Sequence, residues 1–119
     1  MSMEDTIFTQ RLIQPDTVSL VKQRLPGNED LFQELAFFFK AFGDATRLKI
    51  LFALCASPLC VGDLAAVLAM NQSAVSHQLK ALSRARLVSA RKNGKVVYYR
   101  LRHEQVKNLL AQGFEQIRS

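Results

Sequence analysis

Asn93-Gly94, set between Val88-Ser89-Ala90-Arg91-Lys92 and Lys95-Val96-Val97-Tyr98-Tyr99-Arg100-Leu101, constrains the fold more than any other stretch of this chain. An Asn-Gly pair between β-branched and aromatic residues is the preferred two-residue hairpin loop, because both residues tolerate the positive φ of a type I′ turn. The pattern predicts that Lys92 faces Lys95, Ala90 faces Val97 and Val88 faces Tyr99. It places Val88, Ala90, Val97, Tyr99 and Leu101 on a core face and Ser89, Arg91, Val96, Tyr98 and Arg100 on the other. The remaining periodic segments read as helices, so the expected class is mainly α with a small β-hairpin.

The segment ahead of the hairpin suggests its use. Asn71 to Lys80 reads as an amphipathic helix: Asn71 or Ser73 can cap the first turn, and Val75, Leu79 and Leu82 recur at i, i+4, i+7 and turn inward. Gln72, Ser73, Ser76, His77 and Lys80 are left outside. Gln and Ser can address base edges in a major groove, and a lysine on the same surface can meet phosphate. Val61 to Ala69 is a shorter helix with Leu64, Val67 and Leu68 inward, and Met70-Asn71 joins the two. Two short helices and a tight turn make a helix-turn-helix. A hairpin placed directly after it and tipped by Arg91, Lys92 and Lys95 is a wing, able to lie over phosphates or reach a minor groove. The plainer readings are a surface helix and a solvated edge guarded by lysines; the order of the elements favours DNA.

Charge agrees with that order. The net +6 is split into −2 over residues 1–70 and +8 over residues 71–119, so the basic half begins at the recognition helix. Each cation that replaces a condensed counterion on DNA gains entropy from its release.

Residues 1–15 lack periodicity and read as a flexible arm. Asp16 is expected to cap a helix through Leu25, stopped by Pro26-Gly27, and Asn28 to start a second whose Leu31, Phe32, Leu35, Phe38, Phe39 and Phe42 make a stripe wide enough for two neighbours. Asp44 caps a third over Ala45 to Ala56, with Leu48, Leu51, Phe52 and Cys55 inward. A last helix over Glu104 to Ile117 carries Val106, Leu109, Leu110, Phe114 and Ile117, more apolar surface than a small domain hides. A homodimer is the economical explanation. Residues 16–119 then form one DNA-binding domain with dimerisation helices at both ends, a size that suits a single core.

No apolar run reaches membrane-spanning length, and Glu4 and Asp5 stand where a leader peptide would be basic and then greasy, so a cytoplasmic chain without a membrane partner is expected. Cys55 and Cys60 are then thiols, ligands or redox sensors before they are a disulfide. Cys55, on the inner side of its helix, reads as a small core residue. Cys60 lies near a helix N-terminus, where the dipole favours thiolate, and is the better reactive candidate. Five isolated glycines make no phosphate cradle, and no nucleophile, base and carboxylate fall at helical spacing, so no enzyme is expected.

Phe42-Gly43-Asp44-Ala45-Thr46-Arg47-Leu48-Lys49-Ile50-Leu51, Leu59-Cys60-Val61-Gly62-Asp63-Leu64, Ser73-Ala74-Val75-Ser76-His77-Gln78-Leu79 and Gly94-Lys95-Val96-Val97-Tyr98-Tyr99 together resemble the ArsR/SmtB winged-helix repressors. The resemblance covers about residues 32–117. It implies a dimer built from the terminal helices, a double-stranded DNA operator, release of DNA when an effector binds, and a major-groove position for Gln72, Ser73, Ser76 and His77. It also matches Cys60 and Asp63 to the two ligands that zinc sensors of this family supply from the helix-turn-helix, but residues 1–54 hold no Cys or His to complete them. The Cys-x-Cys of thiolate-rich sites meets Gly62 here. On the last helix the matching positions are His103, Gln105, Gln116 and Ser119, of which only His103 is a good ligand for zinc, an ion that takes four ligands or three and a water. No cofactor is specified by these residues, and a soft metal ion, a metalloid or oxidation at Cys60 with Cys55 stand as effector inputs. The reading is a sequence-specific repressor; its alternative is a winged-helix module that contacts only proteins.

Overall fold

The computed structural model describes residues 12–119, so the expected arm lies largely outside the described residues. The chain divides into two units, residues 1–33 and 34–119. In the first, α1 spans Pro15–Arg24. Gln14, not Asp16, occupies the N-cap; Pro15 takes the first helical position, where a missing N–H costs nothing, and Asp16 falls inside the first turn. Helix α2, Glu29–Lys40, is started by the Asn28 Oδ1, which accepts the Asp30 N–H at 2.9 Å, and runs on into the second unit. Neither helix has a buried residue. Leu31, Phe32, Leu35 and Phe39, read as a stripe that packs on neighbours, are all exposed within one chain.

The second unit continues with α3 (Ala45–Ala56), β1 (Leu59–Cys60), α4 (Val61–Leu68), α5 (Gln72–Arg84), β2 (Val88–Asn93), β3 (Val96–Leu101) and α6 (Gln105–Arg118). Asp44 caps α3 by accepting the Arg47 N–H at 3.0 Å. The core gathers Ile50, Leu51 and Leu54 from α3, Leu64 and Ala65 from α4, Val75, Leu79 and Leu82 from α5, Leu87 and Val88 from the entry to the hairpin, and Val106 and Leu110 from α6. Leu48, Phe52 and Cys55 lie only at its rim. Val67, expected inward, is 63% exposed, because the inner face of α4 runs through Leu64, Ala65 and Leu68. On α6 the surplus is smaller than the sequence suggests: Val106 and Leu110 are used by the chain's own core, while Phe114 and Ile117 are left out.

The sheet has three antiparallel strands in the order β1-β3-β2. Strand β1 is not among the elements the sequence predicts; two residues are too few for alternation to show. The hairpin register also differs from expectation. Asn93 pairs with Val96, Lys92 with Val97, Ala90 with Tyr99 and Val88 with Leu101, so the loop is Gly94-Lys95. Gly94 alone there has positive φ, at 65°, the pattern of a type II′ turn with glycine first. The expected pairing would set Lys92 against Lys95, a cross-strand repulsion that the observed register removes. Because each partner moves by two residues, every side chain keeps its predicted face. Burial does not follow: Ala90 and Val97 are exposed, and the inner face of the hairpin is covered only toward its base, at Val88, Tyr99 and Leu101.

Candidate nucleic-acid interface

The turn between α4 and α5 does without glycine by placing Ala69 in the left-handed region, at φ 55° and ψ 45°. The Met70 N–H then reaches the Ala65 carbonyl at 3.0 Å, closing the helix as a Schellman cap does. Asn71 follows in extended conformation. Its Oδ1 accepts the Ala74 N–H at 2.8 Å and the Ser73 hydroxyl at 3.0 Å. Asn71 is thus the cap. With its one proton committed, Ser73 Oγ offers only lone pairs to an incoming group.

Val75, Leu79 and Leu82 are fully buried and fix the rotation of α5 about its axis. That rotation exposes Gln72, Ser73, His77 and Lys80 and leaves Ser76 half-buried among them. At about 100° per residue these five side chains fall within about 140° of arc, a single stripe along the outer face. Gln72 also reaches backward: a Cβ placed on Gly62 would meet its Nε2 at 3.5 Å, so the first turn of α5 lies against the first turn of α4.

Arg91, Lys92 and Lys95 are exposed on the wing, with Lys95 at the loop and Lys92 across from Val97. The ion pairs among the described residues, Asp44 with Arg47 and Glu104 with Lys107, involve no cation of α5 or the wing. The outward face of the sheet carries further cations. Cross-strand pairing sets Cys60, Tyr98 and Arg91 in one row, with Arg100 opposite Ser89 in the next. Alternation along β3 is the sequence signal for Arg100, but the short β1 that completes this face leaves no such signal.

Cys60 is the N-cap of α4 and partly buried; Asp63 is exposed on the following turn. Among the described residues no three of His, Cys, Asp and Glu come together to hold a metal ion. Cys60 and Asp63 can therefore supply only part of a centre. Cys55 lies partly buried in the last turn of α3, and burial pushes its thiol up against the opposing pull of Lys107. A raised pKa means less thiolate at neutral pH, which makes Cys55 a poorer nucleophile than an ordinary thiol.

Residues 44–90 match the family model described as "Bacterial regulatory protein, arsR family". The chain is 43% identical over 99 residues to a transcriptional repressor SmtB homolog from Synechocystis, an alignment covering 83% of this chain and 68% of that protein. A cadmium resistance transcriptional regulatory protein CadC homolog from Staphylococcus aureus is 36% identical over 86% of this chain and 84% of its own length. Among solved structures, a homodimeric winged helix-turn-helix DNA-binding domain from Mycobacterium bovis superposes with a TM-score of 0.69 at 32% identity, covering 78% of this chain and 90% of that one.

Proposed function

The chain belongs to the arsR family of bacterial regulatory proteins, which are transcriptional regulators and not enzymes, and from that premise we propose that it is a homodimeric repressor whose α5 reads an operator while its wing holds the flanking phosphates. One observation carries this reading: a polar stripe held in fixed rotation by three buried residues, beside a hairpin whose cations have no partner among the described residues. Gln72 and His77 can present donors and acceptors to base edges, and Ser73, with its proton held by Asn71, accepts from an exocyclic amino group. Ser76 packs against the groove wall, and Lys80 meets phosphate. Arg91, Lys92 and Lys95 act on the backbone without regard to sequence.

Dimerisation uses α2 and α6. Phe39, Phe42, Phe52, Phe114 and Ile117 line an apolar hollow of about 290 Å³ that one chain leaves open. The related M. bovis domain is homodimeric. A two-fold dimer sets two recognition helices one turn of DNA apart. Operator reading requires the compartment that holds the DNA, the cytoplasm. No described helix is long and apolar enough to cross a membrane.

The effector acts through Cys60, by thiol chemistry or as a soft ion that takes Asp63 as a second donor and its remaining ligands from elsewhere. The α4 N-cap is within one turn of Gly62, over which Gln72 lies, so a change there has a short path to the reading face. Fluorescence anisotropy on the DNA upstream of its own gene, against a scrambled duplex, tests operator reading: wild type should prefer its own DNA at moderate salt, and equal affinity would contradict it. Adding zinc, arsenite or peroxide to the complex tests the signal. Release that is lost in Cys60→Ser is expected, and nanomolar zinc release that survives it would refute the assignment.

A further inference from the structure

Two shallow hollows of about 380 Å³ each meet at Ser57, Pro58 and Arg100, where the outward face of the sheet adjoins the C-terminal end of α3. One extends toward the wing tip past Tyr98 to Arg91 and Asn93; the other extends toward Arg102, Glu104 and Lys107 at the start of α6. Their union is a trough with four cations spaced along it and a single carboxylate, Glu104, already paired with Lys107 at 3.5 Å. The recognition helix contributes none of these residues.

We propose that this trough is a second DNA-contact surface, taking the phosphates of one strand beyond the wing, in addition to the operator contacts inferred above, on which it rests. Three features favour a linear polyanion over a small anion. Cations that serve a small anion converge on one point, whereas Arg91, Arg100, Arg102 and Lys107 are strung from the middle of β2 to the first turn of α6. The hollows are open, as a backbone lying across the surface requires. Arg91 belongs at once to the wing and to the trough, so a strand leaving the wing enters the trough without a gap. Tyr98, which pairs with Cys60 on one side and Arg91 on the other, lines the same hollow and brings a neutral hydroxyl donor to it.

The test compares two duplexes: one limited to the operator, and one extended by about ten base pairs of arbitrary sequence on each side, the further helical turn that a flank contact needs. Wild type should bind the extended duplex at least several-fold more tightly near 0.1 M salt. Its log-affinity should also fall more steeply with log salt, by about three to four units for about four added phosphate contacts per dimer. Arg100→Ala/Arg102→Ala should bind the short duplex as wild type does and lose the gain on the long one, while Arg100→Lys/Arg102→Lys retains most of it. A wild type indifferent to flank length overturns the proposal, and so does an alanine variant that keeps the gain. Failure of wild type to prefer its operator on the short duplex would overturn the operator reading itself, a result distinct from both.

Discussion

The recognition helix and the wing carry the same sign of charge and are held in opposite ways. Helix α5 rests on Val75, Leu79 and Leu82, none more than 1% exposed, while the wing's two strands are anchored by Val88 at their base and are exposed from Arg91 to Val97. The difference matches what each interaction needs. A hydrogen bond to a base edge weakens steeply when its donor turns aside and is gone by about 3.6 Å, whereas attraction between a cation and a row of phosphates declines slowly with distance. On the proposed reading, the core sits under the element that has to be placed accurately, and the exposed cations are carried where accuracy matters less.

The contrast is most vulnerable at the foundation of α5. Leu79→Ala should destabilise the domain by about 2–5 kcal/mol, as buried leucines do, and abolish operator preference before it abolishes binding to random DNA. Denaturant unfolding with anisotropy on both duplexes checks this. Next in size is assembly: Ile117→Asp, at a site 82% exposed in one chain, should leave the monomer folded and shift sedimentation at micromolar concentration from dimer to monomer. Leu110 would be a poor choice for that test, since it belongs to the chain's own core. Asn71→Ala removes the α5 cap and should cost about 1 kcal/mol of stability; it also frees the Ser73 proton, so operator affinity should fall by more than affinity for random DNA.

The smallest effect concerns Cys55. Its thiol pKa is raised in the folded chain by burial, so the native state holds that proton more tightly than the unfolded state. The associated stability is complete below the ordinary thiol range and is lost as pH rises through the raised value. The alkaline fall in stability should therefore be shallower in Cys55→Ala, and alkylation of Cys55 in the native protein should be slower than in urea. Equal rates would contradict the burial argument.

These outcomes bear on which features can be read in the sequence. The inward positions of α5 follow from spacing alone, because i, i+4, i+7 on a helix admits one face. The hairpin's existence follows from Asn93-Gly94, yet its register does not: the loop rule carries the preference of the Asn-Gly pair and not the repulsion between Lys92 and Lys95. Strand β1 is invisible because Leu59-Cys60 gains its identity only from the Tyr98-Tyr99 backbone beside it. The glycine-less turn is resolved through Ala69, whose left-handed backbone depends on the packing of two helices and not on its own preference. The outward trough is half legible, since alternation marks Arg91, Tyr98 and Arg100, while Ser57, Pro58 and Lys107 arrive from distant parts of the chain.

An accurately held helix and a loosely held wing should divide the work of binding, and salt titration of four variants on operator and random duplexes reads that division out. Gln72→Ala and His77→Ala should each lose about 1–3 kcal/mol on the operator and little on random DNA, with the salt slope unchanged. Arg91→Ala and Lys95→Ala should weaken both duplexes alike and flatten the slope by about one unit for each phosphate no longer neutralised. If both pairs lose specificity equally and shift the slope equally, the helix and the wing do not divide the work.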